Sequence, residues 1–213
     1  MRGNNVKFNP KQHEKNILTK EQFRTYIKSK MKARFCIYDK LCVKKIYTCI
    51  TNYTKPKTYK IKHKKKLSYI KANTHKYNIL FYLPLPNEVD LINIIYKLRK
   101  CKKYQVFVPK LEKISFNMVK CRFPLVKNYC RIYEPKTCNI YKDIIIDIAI
   151  VPVLGVDKNM KRIGFGKGMY DRFYSTLKVR PYSIFTSRFK NIAVQPLCQW
   201  YDIQADKYVS TYK

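Results

Sequence analysis

The run DIAIVPVLGV, residues 147–156, constrains this chain more than any other stretch. Ile148 to Val151 follow one another without a polar residue, which makes the segment a buried strand. Asp147 and Pro152 interrupt the apolar tract, so it cannot span a membrane. Close behind comes GFGKGMYD, residues 164–171, holding three of the chain's five glycines. Then MYDRFYSTL reads as an amphipathic helix on Met169, Tyr170, Phe173, Tyr174 and Leu177. A buried strand, a glycine-rich connection and a helix are the ingredients of a layered α/β unit.

The rest of the chain extends that pattern. YNILFYL (77–83), YQVFVP (104–109), ISFNMVKCRF (114–123) and YSIFTS (182–187) read as further strands. EVDLINIIYKLRK (88–100) reads as a well-buried helix. Strands alternating with helices predict an α/β fold: a layered sheet of mostly parallel strands flanked by helices, in a single domain. An N-terminal helical segment precedes it. Thr19 and Gln22 have the form of a capping box, so a helix is expected from Lys20, with Phe23, Ile27, Met31 and Phe35 on one face. A second helix is expected over roughly 37–50. Lys20 and Arg24 lie one turn apart near the first helix start, where cations oppose the helix dipole. Met118 is expected in the core, and Trp200, the one tryptophan, is expected to pack at the C-terminal edge.

Residues 1–18 read as a disordered basic tail, and residues 19–213 as the domain. Residues 54–76 form a lysine-dense connector, read either as a solvated insertion or as a nucleic-acid arm. Forty-six basic against 13 acidic residues give a net charge of +33, and residues 1–76 carry 22 of the basic ones against 3 acidic. Such a balance attracts polyanions only where it is focused. MRGNNVKFNP lacks the hydrophobic core of a secretion signal, so a soluble cytoplasmic protein is expected, with no membrane partner. Eight scattered cysteines without a C-x-x-C spacing then read as reduced thiols. His13, His63 and His75 all precede the α/β portion, which argues against Ser-His-Asp, Cys-His and histidine-metal chemistry there.

GFGKGMYD is neither a Walker A loop, because Gly168 follows Lys167, nor a dinucleotide fingerprint, being one residue short. Its context still suits an anion. Glycines let backbone N–H groups approach closely, and the helix start adds positive potential. Arg162 and Lys167 bracket the loop with full charges. Asp171 suits the first helical turn and could hold a magnesium ion bridging phosphates. A Mg-nucleotide cradle and a plain glycine-rich turn with a capping aspartate both satisfy this segment.

RIGFGKGMYDRF resembles the signature of the 5-formyltetrahydrofolate cyclo-ligase family, approximately R-x-G-x-G-x-G-[YF]-Y-D. It matches at Arg162, Gly164, Gly166, Gly168, Tyr170 and Asp171, with the frequent lysine at Lys167. Five further segments resemble the family in order: KEQFR, LPLPNEVD, YEPKT (Glu134, Pro135), the strand and turn through Pro152, Gly155 and Asp157, and YDIQADKYVS. The family's reaction is ATP-dependent cyclisation of 5-formyltetrahydrofolate to 5,10-methenyltetrahydrofolate, with release of ADP and phosphate. The resemblance implies that Lys20, Arg24, Arg162, Gly164, Gly166, Lys167, Gly168 and Tyr170 meet ATP, with Arg162 and Lys167 serving catalysis. It implies Leu83, Glu88, Phe165, Met169 and Tyr170 for the folate, with or without a polyglutamate tail, and Asp171 and Asp206 for magnesium.

Outside the resemblance, Glu88 would be read as a helix cap and Asp206 as a surface carboxylate. Phe165 stands where some members carry arginine or histidine, and Met169 where an aromatic residue is usual. Tyr201 replaces the common histidine before Asp202. The rival reading is a basic nucleic-acid-binding protein on a catalytically weakened fold of this kind.

Overall fold

A computed structural model describes residues 19–31, 39–55, 76–128, 132–136 and 139–211. The expected tail, the three histidines, Phe35, Cys36, Cys130, Cys138 and residues 56–75 of the connector lie outside these. The apolar run at its centre forms β7 (Ile148–Pro152), buried along its whole length. β1 (Tyr77–Leu80) lies beside it, with Ile79 in register with Ile148 on one side and Val106 on the other. Around them stand β2 (Tyr104–Leu111), β3 (Phe116–Lys120), β6 (Ile140–Tyr141), β10 (Tyr182–Ser187) and β11 (Lys207–Ser210), in the order β11-β10-β7-β1-β2-β3-β6. The first five are parallel; β3 and β6 add antiparallel to one edge.

Side-chain alternation explains why the central strands are apolar throughout. Ile79, Val106, Val108, Ile148, Ile150 and Ile184 face one layer, built by α2 (Asp39–Tyr53) and α3 (Ile92–Lys100). Leu80, Phe107, Ala149, Val151 and Phe185 face the other, where α4 (Met169–Ser175) packs Tyr170, Phe173 and Tyr174 against them. A strand covered on both faces has no solvent side on which to place polar residues. Met118 is core, as expected.

α1 (Lys20–Lys30) stands apart from this sandwich. Its Phe23 and Ile27 join Leu154, Ile163 and Ala193 in a separate cluster, over the ribbon of β8 (Gly155–Val156) and β9 (Arg162–Ile163). The capping box is present: Thr19 Oγ1 accepts from Gln22 N–H at 3.1 Å, and Gln22 Oε1 accepts from Thr19 N–H at 3.0 Å. A further ribbon pairs β4 (Leu125–Lys127) with β5 (Tyr133–Pro135). The Glu134–Pro135 pair therefore lies in a strand, where Glu134 Oε1 accepts from Leu111 N–H at 2.7 Å.

Several boundaries differ from the sequence reading. α2 runs to Tyr53, three residues past the expected end. α3 begins at Ile92 rather than Glu88, because residues 85–88 close a turn of their own and Asp90 Oδ1 takes the Ile92 N–H at 2.9 Å. Trp200 does not pack: it is 86% exposed, edge-on to Tyr201. Cys42, Cys49, Cys101, Cys121 and Cys198 are free thiols. Burial pushes Cys121 up to about 11 and Cys198 up to about 12, so neither is a ready nucleophile. No described helix is long and apolar enough to cross a membrane.

Candidate active site

The glycine loop owes its shape to two residues with positive φ. Gly166 has φ +105° and Gly168, the N-cap of α4, has φ +62°. A side chain is strained at both. Gly164 is small for another reason: a Cβ there would lie 2.5 Å from Arg162 Nη2. α1 holds the loop from outside, through Arg24 Nε to the Gly164 carbonyl at 3.0 Å and Lys28 Nζ to the Phe165 carbonyl at 3.3 Å.

The loop is a partition between two cavities. Gly164, Gly166 and Gly168 line a cleft of about 810 Å³ that also holds Lys20, Arg24, Arg162, Asp171, Arg172 and Asp202. Phe165, between two of those glycines, lines the other, which holds Asn87, Glu88 and Arg188 and measures about 20 Å³. The first is a cationic cleft at a helix start. The second is a tight, mixed cavity about the size of one water.

Electrostatics mark both. Arg162 is buried, pairs with Asp171 (Nη1 to Oδ2, 3.3 Å) and lies 5.0 Å from the Tyr170 ring centroid. Lys20 Nζ reaches Asp202 Oδ1 at 2.6 Å. Among the described residues, three buried side-chain polar atoms lack a hydrogen-bond partner: Arg162 Nε, Asp171 Oδ1 and Asn87 Oδ1. Such atoms are rare in folded proteins, and here all three belong to residues lining the two cavities. Burial raises the Glu88 carboxyl to about 7, against the pull of the Leu85 N–H and of Arg162 and Arg188. Burial, with Glu88 nearby, also pushes the Tyr170 phenol far up, keeping it protonated.

The structure brings together Lys20, Arg24, Arg162, the three loop glycines and Asp171 in one cleft. Lys167 lies on the same loop with its side chain exposed. Glu88 and Phe165 share the second cavity. Glu88 is not a helix cap: its Oε2 accepts from Leu85 N–H at 2.9 Å. Leu83 is buried in the α2–α3 layer, and Met169 and Tyr170 pack into the opposite core; none of the three lines either cavity.

Asp206 is placed elsewhere. It pairs with Arg180 at 3.0 Å and accepts from Ser183 N–H at 2.7 Å, outside the cleft. The second carboxylate of the cleft is Asp202, four residues earlier. Arg172 and Asp202 went unassigned in the sequence reading. Arg172 was detectable, because it stands one turn after Gly168 in an expected helix. Among the described residues, no three His, Cys, Asp or Glu side chains cluster as a metal cage. Magnesium does not require one, since it binds through one or two carboxylates plus substrate phosphates. The unpartnered Asp171 Oδ1 fits that demand.

Comparison with known proteins gives the family and the fold. A sequence profile described as the 5-formyltetrahydrofolate cyclo-ligase family matches residues 42–200, which include Glu88 and the glycine loop. The 5-formyltetrahydrofolate cyclo-ligase of Mycoplasma pneumoniae is 28% identical over 99 residues. That match covers 46% of this chain and 52% of the relative, so it spans about half of that protein's length. Among solved structures, the 5,10-methenyltetrahydrofolate synthetase of Aquifex aeolicus superposes with a TM-score of 0.66 at 20% identity, covering 90% of this chain and 89% of that one. The Mycoplasma pneumoniae synthetase gives 0.63 at 21% identity, covering 89% and 97%. At these identities the superpositions show a shared fold.

Proposed function

The chain belongs to the 5-formyltetrahydrofolate cyclo-ligase family, and on that premise we propose that it cyclises 5-formyltetrahydrofolate to 5,10-methenyltetrahydrofolate at the expense of ATP. The observation that carries this reading is the partition. A cationic cleft suited to a triphosphate and a cavity with a buried carboxyl and amide lie on opposite sides of one glycine loop.

The chemistry needs such a wall with a crossing point. A formamide oxygen is a weak nucleophile and a poor leaving group. In the proposed sequence it attacks the γ-phosphorus of ATP, ADP departs, and an iminium phosphate forms. N10 then attacks the former formyl carbon, phosphate leaves with the C–O bond electrons, and N10 loses its proton. The protein must align the formyl oxygen with the γ-phosphate and balance the charge on the transferred group. Lys20, Arg24 and Arg162 supply the positive charge, and Lys167, exposed on the same loop, would turn toward the phosphates. Gly164 to Gly168 bring backbone close to the phosphates. Asp171 with Asp202 would hold magnesium, which neutralises phosphate charge when bound. ATP phosphates would take over Lys20 from Asp202, freeing that carboxylate. Glu88 and Asn87 would meet the pterin, whose entry requires Phe165 or α1 to yield, since the cavity is far smaller than the ring system. The cytoplasm, where both substrates are found, is the proposed location.

Absorbance in the methenyltetrahydrofolate band tests this reading. The protein is mixed with 5-formyltetrahydrofolate, ATP and magnesium, beside no-ATP and Lys167→Ala arms. Growth that needs ATP and slows in the variant is expected. A flat trace from folded wild-type protein would reject the reading.

A further inference from the structure

Arg188 and Asp39 form a buried ion pair to which the proposed chemistry gives no role. Arg188 Nη2 donates to Asp39 Oδ2 at 2.9 Å and Nε donates to Oδ1 at 3.1 Å, a guanidinium fork on a carboxylate. The side chains are 9% and 13% exposed. Asp39 is the first residue of α2, and Arg188 follows the last residue of β10. A buried pair contributes little net stability, because desolvating two charges offsets most of their attraction. A different consequence is visible in the remaining bonds of the pair.

Arg188 Nη1 donates to the Pro86 carbonyl at 2.8 Å. Asp39 Oδ2 also accepts from Asp90 N–H, at 3.2 Å. These two bonds fall on either side of Asn87 and Glu88. The chain also closes on itself here: Glu88 N–H donates to the Leu85 carbonyl at 2.9 Å, and Glu88 Oε2 accepts from Leu85 N–H at 2.9 Å. The result is a turn fixed from inside by its own bonds and from outside by the ion pair. Asn87, Glu88 and Arg188 all line the second cavity, and the buried Asn87 Oδ1 has no donor. A turn that presents a carboxyl and an amide oxygen to one cavity offers acceptors to a ligand edge rich in N–H groups, as a pterin's is.

We propose that the Arg188–Asp39 pair positions the folate subsite, by clamping the 86–90 segment so that Glu88 and Asn87 stand together as acceptors for the pterin N–H edge. This rests on the cyclo-ligase reading. Arg188 and Asp39 are positioning residues: they act through the turn. Arg188 has a second influence, as a cation beside Glu88, which also faces the Leu85 N–H, Arg162 and the phenols of Tyr82 and Tyr170. Its charge favours the ionised carboxylate.

Equilibrium binding of 5-formyltetrahydrofolate and of ADP, measured separately by calorimetry, tests the proposal. Three variants are used: Arg188→Lys, Asp39→Asn, and the double change Arg188→Met with Asp39→Leu. The double variant exchanges the pair for apolar side chains, a replacement that buried ion pairs tolerate, so it guards against a single variant that fails to fold. Folate binding is expected to weaken about tenfold or more in folded variants, the scale of a lost charge-assisted hydrogen bond, while ADP binding changes less than about twofold. The double variant should also move the acid-side midpoint of folate binding to higher pH, because Glu88 loses a cation; Arg188→Lys should leave it in place. A variant that melts earlier yet binds folate like wild type would reduce the pair to a structural one and overturn the proposal. Equal weakening of folate and ADP would overturn it too. Wild-type protein that binds ADP but not folate would sink the cyclo-ligase reading and the clamp together. Wild-type protein that binds folate beside indifferent variants would sink the clamp alone.

Discussion

At the scale of single residues, the loop glycines separate into two kinds. Gly164 is required by its neighbour: its missing Cβ leaves room for the Arg162 guanidinium, which is buried and cannot swing into solvent. Gly164→Ala should displace that guanidinium from Asp171 and raise KM for ATP about tenfold, the scale of one charge-assisted contact, with little change in KM for folate. Steady-state kinetics varying each substrate would check it. Gly166 is required by its backbone, since a Cβ there meets nothing within 4 Å but φ is +105°. Gly166→Ala should cost stability, roughly 1–2 kcal/mol, without crowding Arg162. Glu88 gives a pH-dependent case. Its folded pKa, about 7, lies above the ordinary 4.5 because of burial. Between those values the folded protein binds more protons than the unfolded chain, so stability falls as pH rises through that window. Glu88→Gln removes the ionisation and keeps an acceptor for Leu85 N–H. It should match wild type near pH 4 and exceed it above pH 7, by on the order of 2 kcal/mol, in denaturant melts of the unliganded protein. Asp202 shows where sequence stops. It and Asp206 stand four apart in an irregular segment, and no periodicity tells which one faces the cleft.

At the scale of elements, the central strands were legible because both faces are covered, so burial wrote itself as unbroken apolar runs. Helix α1 was legible to its cap, since Thr19 and Gln22 satisfy each other locally. The start of α3 was not, because the 85–88 turn is held by the Arg188–Asp39 pair, whose members are 149 residues apart in sequence. The same distance hid the second cavity, which β10, the 85–88 turn and Met31, the C-cap of α1, help to line. Because α1 carries Lys20 and Arg24 to the cleft and braces the loop through Arg24 and Lys28, the proposed function would couple its N-terminal cap to nucleotide binding. Thr19→Ala should cost about 1 kcal/mol of stability. It should also raise KM for ATP more than KM for folate, because fraying at the first turn releases Lys20 before it disturbs Met31 at the other end of the helix. A thermal melt paired with kinetics would show both. Equal shifts in the two KM values would mean that α1 moves as one rigid piece.

At the scale of the whole molecule, the question is whether a net charge of +33 serves the cleft or only accompanies it. Within the cleft, Lys20, Arg24, Arg162 and Arg172 outnumber Asp171 and Asp202. Both proposed substrates are anions, so distant lysines add to a field that draws them in, but across bulk solvent that field is screened within about 8–10 Å at physiological salt. Residues 56–75 hold seven lysines and no acidic residue, and they lie outside the described residues. Replacing them with a short Gly-Ser linker lowers the net charge to +26. Turnover at saturating substrate should survive within about twofold, because positioning at the loop does not depend on remote charge. KM for ATP should rise modestly at low ionic strength, and the difference from wild type should vanish as salt is added, since a remote contribution is screened first. A KM difference that persists at high salt would place lysines of this segment against the substrate. Loss of turnover in a protein that still melts cooperatively would make the segment part of the catalytic unit, and would revive polyanion binding as a function of this chain in its own right.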